Sequence, residues 1–65
     1  MNNVQLCERV KGMWMTPAIG MIQAEGYTTR VVSVDGRKSL ITADYNPQRI
    51  NLEVRENMVI RAYIG

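Results

Sequence analysis

Cys7 is the only cysteine in the chain and histidine is absent, so the fold must be held without an internal staple. An intrachain disulfide cannot form, and the usual ligands of a structural zinc site are too few. A chain of 65 residues buries only ~60% of the surface it exposes when unfolded, and chains this small commonly lean on such staples. The sequence therefore predicts one domain over residues 1–65, held by its apolar core. Hydrophobic residues make up 46% of it, with five methionines and no phenylalanine, which points to a core of adaptable aliphatic side chains.

The pattern of charge excludes more than it suggests. Eight basic and six acidic residues give a net charge of +2. They are mixed along the chain, and the only basic neighbours are Arg37 and Lys38. That is a weak footprint for nucleic acid, and no nucleic-acid partner is expected. The opening "MNNVQLCERVKGMWM" has no uninterrupted apolar core and does not read as a signal peptide. No segment is long and apolar enough to span a membrane. The expectation is a cytoplasmic protein as the sequence stands, or a secreted one if a leader has been removed. The sequence holds no histidine, serine elbow, phosphate-cradling glycine loop or carboxylate cluster. Catalysis is not expected, nor is a cofactor or metal.

Local patterns divide the chain into short elements. Residues 4–10, "VQLCERV", fit a short strand or a turn of helix, and periodicity does not separate the two. "TPAIGMIQAEG" predicts a helix, with Thr16 as its cap, Pro17 at its first position and Gly26 as its stop. "TTRVVSV" is rich in β-branched residues and predicts a strand. Over residues 49–55, Ile50, Leu52 and Val54 alternate with Arg49, Asn51 and Glu53, so the first set should face the core. "RENM" reads as a turn, and "VIRAYI" as an antiparallel return strand.

Residues 35–48 admit two readings. Asp35-Gly36 between β-branched runs is a hairpin signal, which would make "RKSLIT" a strand of a four-stranded meander. Alternatively the stretch is one long exposed loop, a kind of segment that is uncommon and usually functional. If residues 40–45 are extended, Thr42 and Asp44 project to one side and Ala43 to the other. Arg49 and Asn51 project together from the next strand. A loop lying over that strand would bring Thr42 and Asp44 onto Arg49 and Asn51. A carboxylate on a guanidinium there is a charge-assisted bond of roughly 1.5–3 kcal/mol when shielded. Such a loop is a stiff extended segment with one outward side chain, the form in which a serine protease takes a substrate strand.

The last third of the chain carries a resemblance. In "TADYNPQRINLEVRENMVIRAYIG", Thr42, Asp44, Tyr45, Pro47, Arg49, Asn51, Glu53, Val54, Asn57, Val59, Ile60, Arg61, Tyr63 and Gly65 fit a pattern of fixed residues at fixed spacing. It resembles a small bacterial and fungal peptidase-inhibitor family that includes a fungal elastase inhibitor and is related to the potato inhibitor I family. The resemblance implies an α+β fold with a short helix packed on a small mixed sheet. Two parallel strands would be joined by an exposed reactive loop, Leu40, Ile41, Thr42, Ala43, Asp44 and Tyr45. The scissile bond would be Ala43-Asp44, and Thr42 and Asp44 would be supported by Arg49 and Asn51. The implied partner is a serine protease of elastase-like or subtilisin-like specificity, met by a monomer or weak dimer. The chain departs from the family at Ile64, where relatives carry a second cysteine that pairs with one near the start. The arm from Gly36 to Thr42 is also longer than in those relatives. The alternative is a non-inhibitory binding module, on this fold or on a β-meander that presents Arg30, Arg37 and Lys38 to nucleic acid or an acidic partner.

Overall fold

The computed structural model describes residues 1–65. Two helices, α1 (Asn3–Val10) and α2 (Met15–Ala24), precede four strands. These are β1 (Thr28–Val34), β2 (Arg37–Lys38), β3 (Arg49–Arg55) and β4 (Met58–Ile64). They form one mixed sheet in the order β2-β1-β3-β4. The fold is a small α+β domain, with no helix long and apolar enough to cross a membrane.

The ambiguous residues 4–10 are helical. Asn2 accepts a hydrogen bond from the Gln5 amide at 2.8 Å, and the Gln5 side chain accepts one from the Asn2 amide at 3.1 Å. This reciprocal cap satisfies two donors that the first helical turn leaves free. Leu6 and Val10, four apart, are the buried face.

Helix α2 starts two residues earlier than its sequence suggests. Trp14, not Thr16, is the N-cap, and its side chain makes no capping bond. The cause is tertiary. Gly12 N–H donates to Val59 O at 2.8 Å, Val59 N–H to Met13 O at 2.9 Å and Met15 N–H to Asn57 O at 2.7 Å. The segment before α2 is thus pinned to β4, and the helix begins where the pinning ends. Pro17 lies within the first turn, where a missing N–H costs little. Gly26 follows the helix with a φ of +89°.

The residues that alternate in β3 behave as expected. Ile50, Leu52 and Val54 join Leu6, Val10, Ala18, Ile22 and Val59 in one buried cluster between helices and sheet. Burying a branched aliphatic side chain is worth ~1.5–3 kcal/mol, and this cluster replaces the staples the sequence lacks.

Both readings of residues 35–48 are partly realised. Asp35 and Gly36 have φ of +51° and +82°, the pair of left-handed residues that a tight hairpin turn demands. Pairing runs from Val34↔Arg37 to Ser33↔Lys38, and Ser39 N–H reaches Val32 O at 2.9 Å. There it stops. The full strand "RKSLIT" is not formed, and neither is the meander: β1 gives its other edge to β3 in parallel register, with Thr28 beside Arg49 and Val34 beside Val54. Parallel neighbours need a long crossover. Residues 39–48 must therefore run back along β1, a distance of ~20 Å at ~3.3 Å per residue. Ten residues could span more than that distance, so the crossover is not taut, and it bends at Ala43.

Candidate functional site

The helices cover one face of the sheet. The other face carries Arg30 from β1, Arg49, Asn51 and Glu53 from β3, and Arg61 and Tyr63 from β4, set side by side by the strand register. Arg61 Nη1 lies 2.8 Å from Glu53 Oε2, and its guanidinium stands 4.5 Å from the centre of the Tyr63 ring. The loop crosses this face. Leu40 is fully exposed, Tyr45 is 71% exposed, and Thr42, Ala43 and Asp44 are open to solvent. Ile41 helps to line a groove of about 280 Å³ together with Val32, Glu53, Arg61 and Tyr63.

Two guanidiniums lie beneath the loop. Arg49 Nη2 donates to Asp44 O at 2.9 Å and to Gly65 O at 2.7 Å, and its Nε reaches Gly65 O at 3.3 Å. The same Nη2 is 3.6 Å from Asp44 Oδ2. Arg49 and Asp44 therefore meet, as their spacing suggested. Asn51 does not meet the loop directly. It is 2% exposed, and its Oδ1 accepts from Arg30 Nε at 3.0 Å. The reason is reach. The amide of Asn51 is short, and β1 places Arg30 directly beside it. Arg30 then extends past Asn51, with Nη1 3.4 Å from Thr42 Oγ1 and Nη2 3.5 Å from Gly65 O. No buried side-chain nitrogen or oxygen is left without a partner, the condition that makes such a polar cluster tolerable beside a core.

Local reasoning placed Arg30 only among the basic residues a meander would present and missed it as a support of the loop. Its one sequence signal is an arginine in the middle of a β-branched run, "TTRVVSV", which becomes informative only once β1 and β3 are known to be neighbours. Gly65 was part of the quoted pattern, but its role was not legible. Its carbonyl gathers both arginines and, at 3.4 Å, the Asn46 amide. Its φ is +145°, and a side chain there would come within 3.1 Å of Asn51 Nδ2, so the close approach requires glycine.

The loop's own chemistry adds to this anchoring. Thr42 Oγ1 donates to Asp44 Oδ1. That bond and then a backbone amide hold the Asp44 carboxyl below its ordinary pKa; desolvation opposes them, and the Arg49 and Arg30 charges add smaller lowering effects. Asp44 is therefore ionised at neutral pH. Away from the loop, burial and then the Glu8 charge push the Cys7 thiol up. Cys7 packs against the core as a half-buried apolar residue, and it shares a pocket of about 300 Å³ with Val4, Ala62 and Ile64. Trp14 flanks α2 and is exposed, while Arg37 and Lys38 are solvated in β2.

The arrangement can present a short exposed segment, bent at Ala43, to a partner while tethering Thr42 and Asp44 on either side of it to the sheet. Compared with known proteins, the chain matches no family model, no curated protein and no solved structure.

Proposed function

We propose that this chain is a serine protease inhibitor on a potato-inhibitor-I-like fold. It binds its target as a substrate would, through Leu40, Ile41, Thr42, Ala43, Asp44 and Tyr45, with Ala43-Asp44 as the scissile bond. The observation that carries the reading is the hold on Asp44 beside an exposed Ala43: Arg49 donates to its carbonyl at 2.9 Å while Thr42 donates to its carboxylate. A segment already tethered on both sides of its bend at Ala43 loses little entropy on docking, so preorganisation becomes affinity. Its backbone pairs as an added strand and one side chain enters the specificity pocket. Ala43 offers that pocket a single methyl, worth ~0.8 kcal/mol. Shallow pockets of elastase-like or subtilisin-like enzymes suit it. A trypsin-like pocket does not, because its buried carboxylate would face no partner. The chain performs no chemistry of its own in this reading.

The test is a panel of elastase-like, subtilisin-like, chymotrypsin-like and trypsin-like proteases, each titrated with the protein while substrate turnover is followed. Inhibition of one of the first two classes, with slow cleavage at Ala43-Asp44 found by mass spectrometry, is expected. If micromolar protein slows none of the four classes, inhibition is ruled out and the loop serves a partner that is not a protease.

A further inference from the structure

We infer that the free edge of β4 pairs with the same edge of a second copy of this chain, antiparallel and centred on Ala62, in a weak two-fold dimer. The inference is independent of the inhibitor reading. It starts from backbone groups that have no partner. β4 is an outer strand of the sheet. Its first half is covered, because Gly12 N–H donates to Val59 O and Val59 N–H to Met13 O, with Trp14 beside Met58. From Ile60 onward the cover ends, and no backbone hydrogen bond from a helix or loop reaches residues 60–64. Gly65 N–H donates to Arg49 O, continuing the register in which Ile64 faces Ile50. By alternation Tyr63 and Arg61 also turn their backbone groups to β3, and Ala62 and Ile64 turn theirs outward. An uncovered edge of this kind is a template for another strand. The opposite edge of the sheet is not, since β2 is only two residues long and both, Arg37 and Lys38, are basic.

Three features make a second copy the strand that fits. The first is hydrogen bonding. With Ala62 facing Ala62 of the second copy, the outward N–H and C=O of each meet those of the other, and the groups of each Ile64 fall opposite Ile60. The second is charge. Arg61 is the only charged residue in β4. In this register it faces Tyr63 of the second copy and not its own counterpart, so no like charges stand directly opposite. The same two side chains already stack within one chain, with the Arg61 guanidinium 4.5 Å from the centre of the Tyr63 ring. The third is shape. Alternation sets Ile60 on the same side as Ala62 and Ile64, and it is 45% exposed. The two-fold brings it beside Ile64 of the second copy, at the pocket of about 300 Å³ lined by Val4, Cys7, Ala62 and Ile64. Each copy thus offers a projecting apolar side chain and a hollow for the other's, the self-complementarity that a two-fold interface requires. The contact is small. Five residues at ~3.4 Å each give an edge of about 17 Å, and the domain is 15 Å thick. That is far short of the ~800 Å² each partner gives to a standard interface, so the dimer is weak and reversible. The loop is tied to Arg49 and not to residues 60–64, so both loops stay open in the dimer.

The experiment follows the whole chain by sedimentation equilibrium, ¹⁵N spectra and amide exchange from roughly 10 μM to roughly 2 mM, a range that brackets the affinities of small interfaces. The wild type should pass from monomer to dimer. Concentration-dependent shifts should gather at residues 60–64 and 3–8, and the amides of Ala62 and Ile64 should exchange more slowly at the high end. Ile60→Lys and Val4→Lys, both at exposed positions, should each weaken association at least tenfold. Val34→Lys, exposed on β1, should associate as the wild type does. A wild type that sediments as a monomer throughout overturns the inference. So do shifts that gather at 37–38 or 40–45 in place of 60–64, or a tenfold loss in Val34→Lys, because each puts the contact on another surface. Should Ile60→Lys fail to fold, Val4→Lys decides: association as tight as in the wild type would overturn it. If the protein inhibits no protease yet dimerises as described, the inhibitor reading fails and the β4 contact stands.

Discussion

Replacing Arg49 by alanine separates the hold on the loop from the stability of the domain. The Arg49 side chain is 14% exposed, and its bonds divide into two groups. Two run to Gly65 O, at 2.7 and 3.3 Å, and fasten the end of β4 to β3. One runs to Asp44 O at 2.9 Å and fastens the loop. The Asp44 carboxylate, 3.6 Å away and facing solvent, adds little, as exposed ion pairs do. A hydrogen bond from a charged donor contributes ~1.5–3 kcal/mol. The loop side is exposed, so the low end applies, and ~1.4 kcal/mol is a factor of ten in the population of the released loop. Gly65 O keeps Asn46 N–H at 3.4 Å and Arg30 at 3.5 Å, so the strand end is weakened and not orphaned. A loss of ~1 kcal/mol there lowers the melting temperature of a domain this size by ~4–8 °C. Arg49→Ala should therefore melt a few degrees early but cleave about ten times faster within 39–48. The assay is limited proteolysis by a broad-specificity protease well below the melting temperature, with each cut located by mass spectrometry. High salt should change the wild-type rate little, because the main acceptor is a neutral carbonyl and not an ion. An Arg49→Ala loop cut no faster than wild type, in a variant that is measurably less stable, would show that Arg49 supports the sheet alone.

Ala43→Lys should shift inhibition toward trypsin-like enzymes with an unchanged melting temperature, since Ala43 is exposed; equal affinity of wild type and variant across the protease panel would remove Ala43 from the specificity pocket. The lowered pKa of Asp44 means that its ionised form is favoured by the folded loop. Its contribution is present above the ordinary aspartate pKa of about 4 and is lost as pH falls through the lowered value. Loop order measured by NMR should hold from neutral pH down to about 4 and then decline, and Asp44→Asn should abolish that acid-side change; a flat wild-type profile down to pH 2 would contradict it. Cys7 and Ile64 face one pocket, so Ile64→Cys should oxidise to an intrachain bridge spanning residues 7–64. Chain-entropy arguments give such a loop ~4 kcal/mol, enough to raise the melting temperature by at least ~10 °C after the loss of Ile64 packing, and failure to oxidise would place the two side chains too far apart.

The sequence by itself determined the elements whose signals are local. The alternation in 49–55 put Ile50, Leu52 and Val54 inward because side chains in a strand point to opposite faces in turn. Asp35-Gly36 turned the chain because left-handed backbone suits those residues. The contact between Arg49 and Asp44 was also legible, being only five residues apart and close to a strand end. Helix α1 was legible in principle. Asn2 and Gln5 are spaced as a reciprocal cap, and that signal, not periodicity, separates helix from strand over 4–10.

Only the tertiary structure decided what those elements touch. No local pattern says that β1 lies parallel to β3, yet that pairing makes 39–48 a crossover that must return over the sheet. The same pairing puts Arg30 beside Asn51, twenty-one positions on, and turns a solvent-facing alternation into a buried amide carrying a guanidinium. The start of α2 at Met15 follows from three hydrogen bonds to residues 57–59, against the capping preference of Thr16. Turn, cap and alternation energies act within a few residues and can be read along the chain. Strand order is set by which edges meet when the apolar faces of α1, α2 and β3 close on one another, and that choice depends on all of them together.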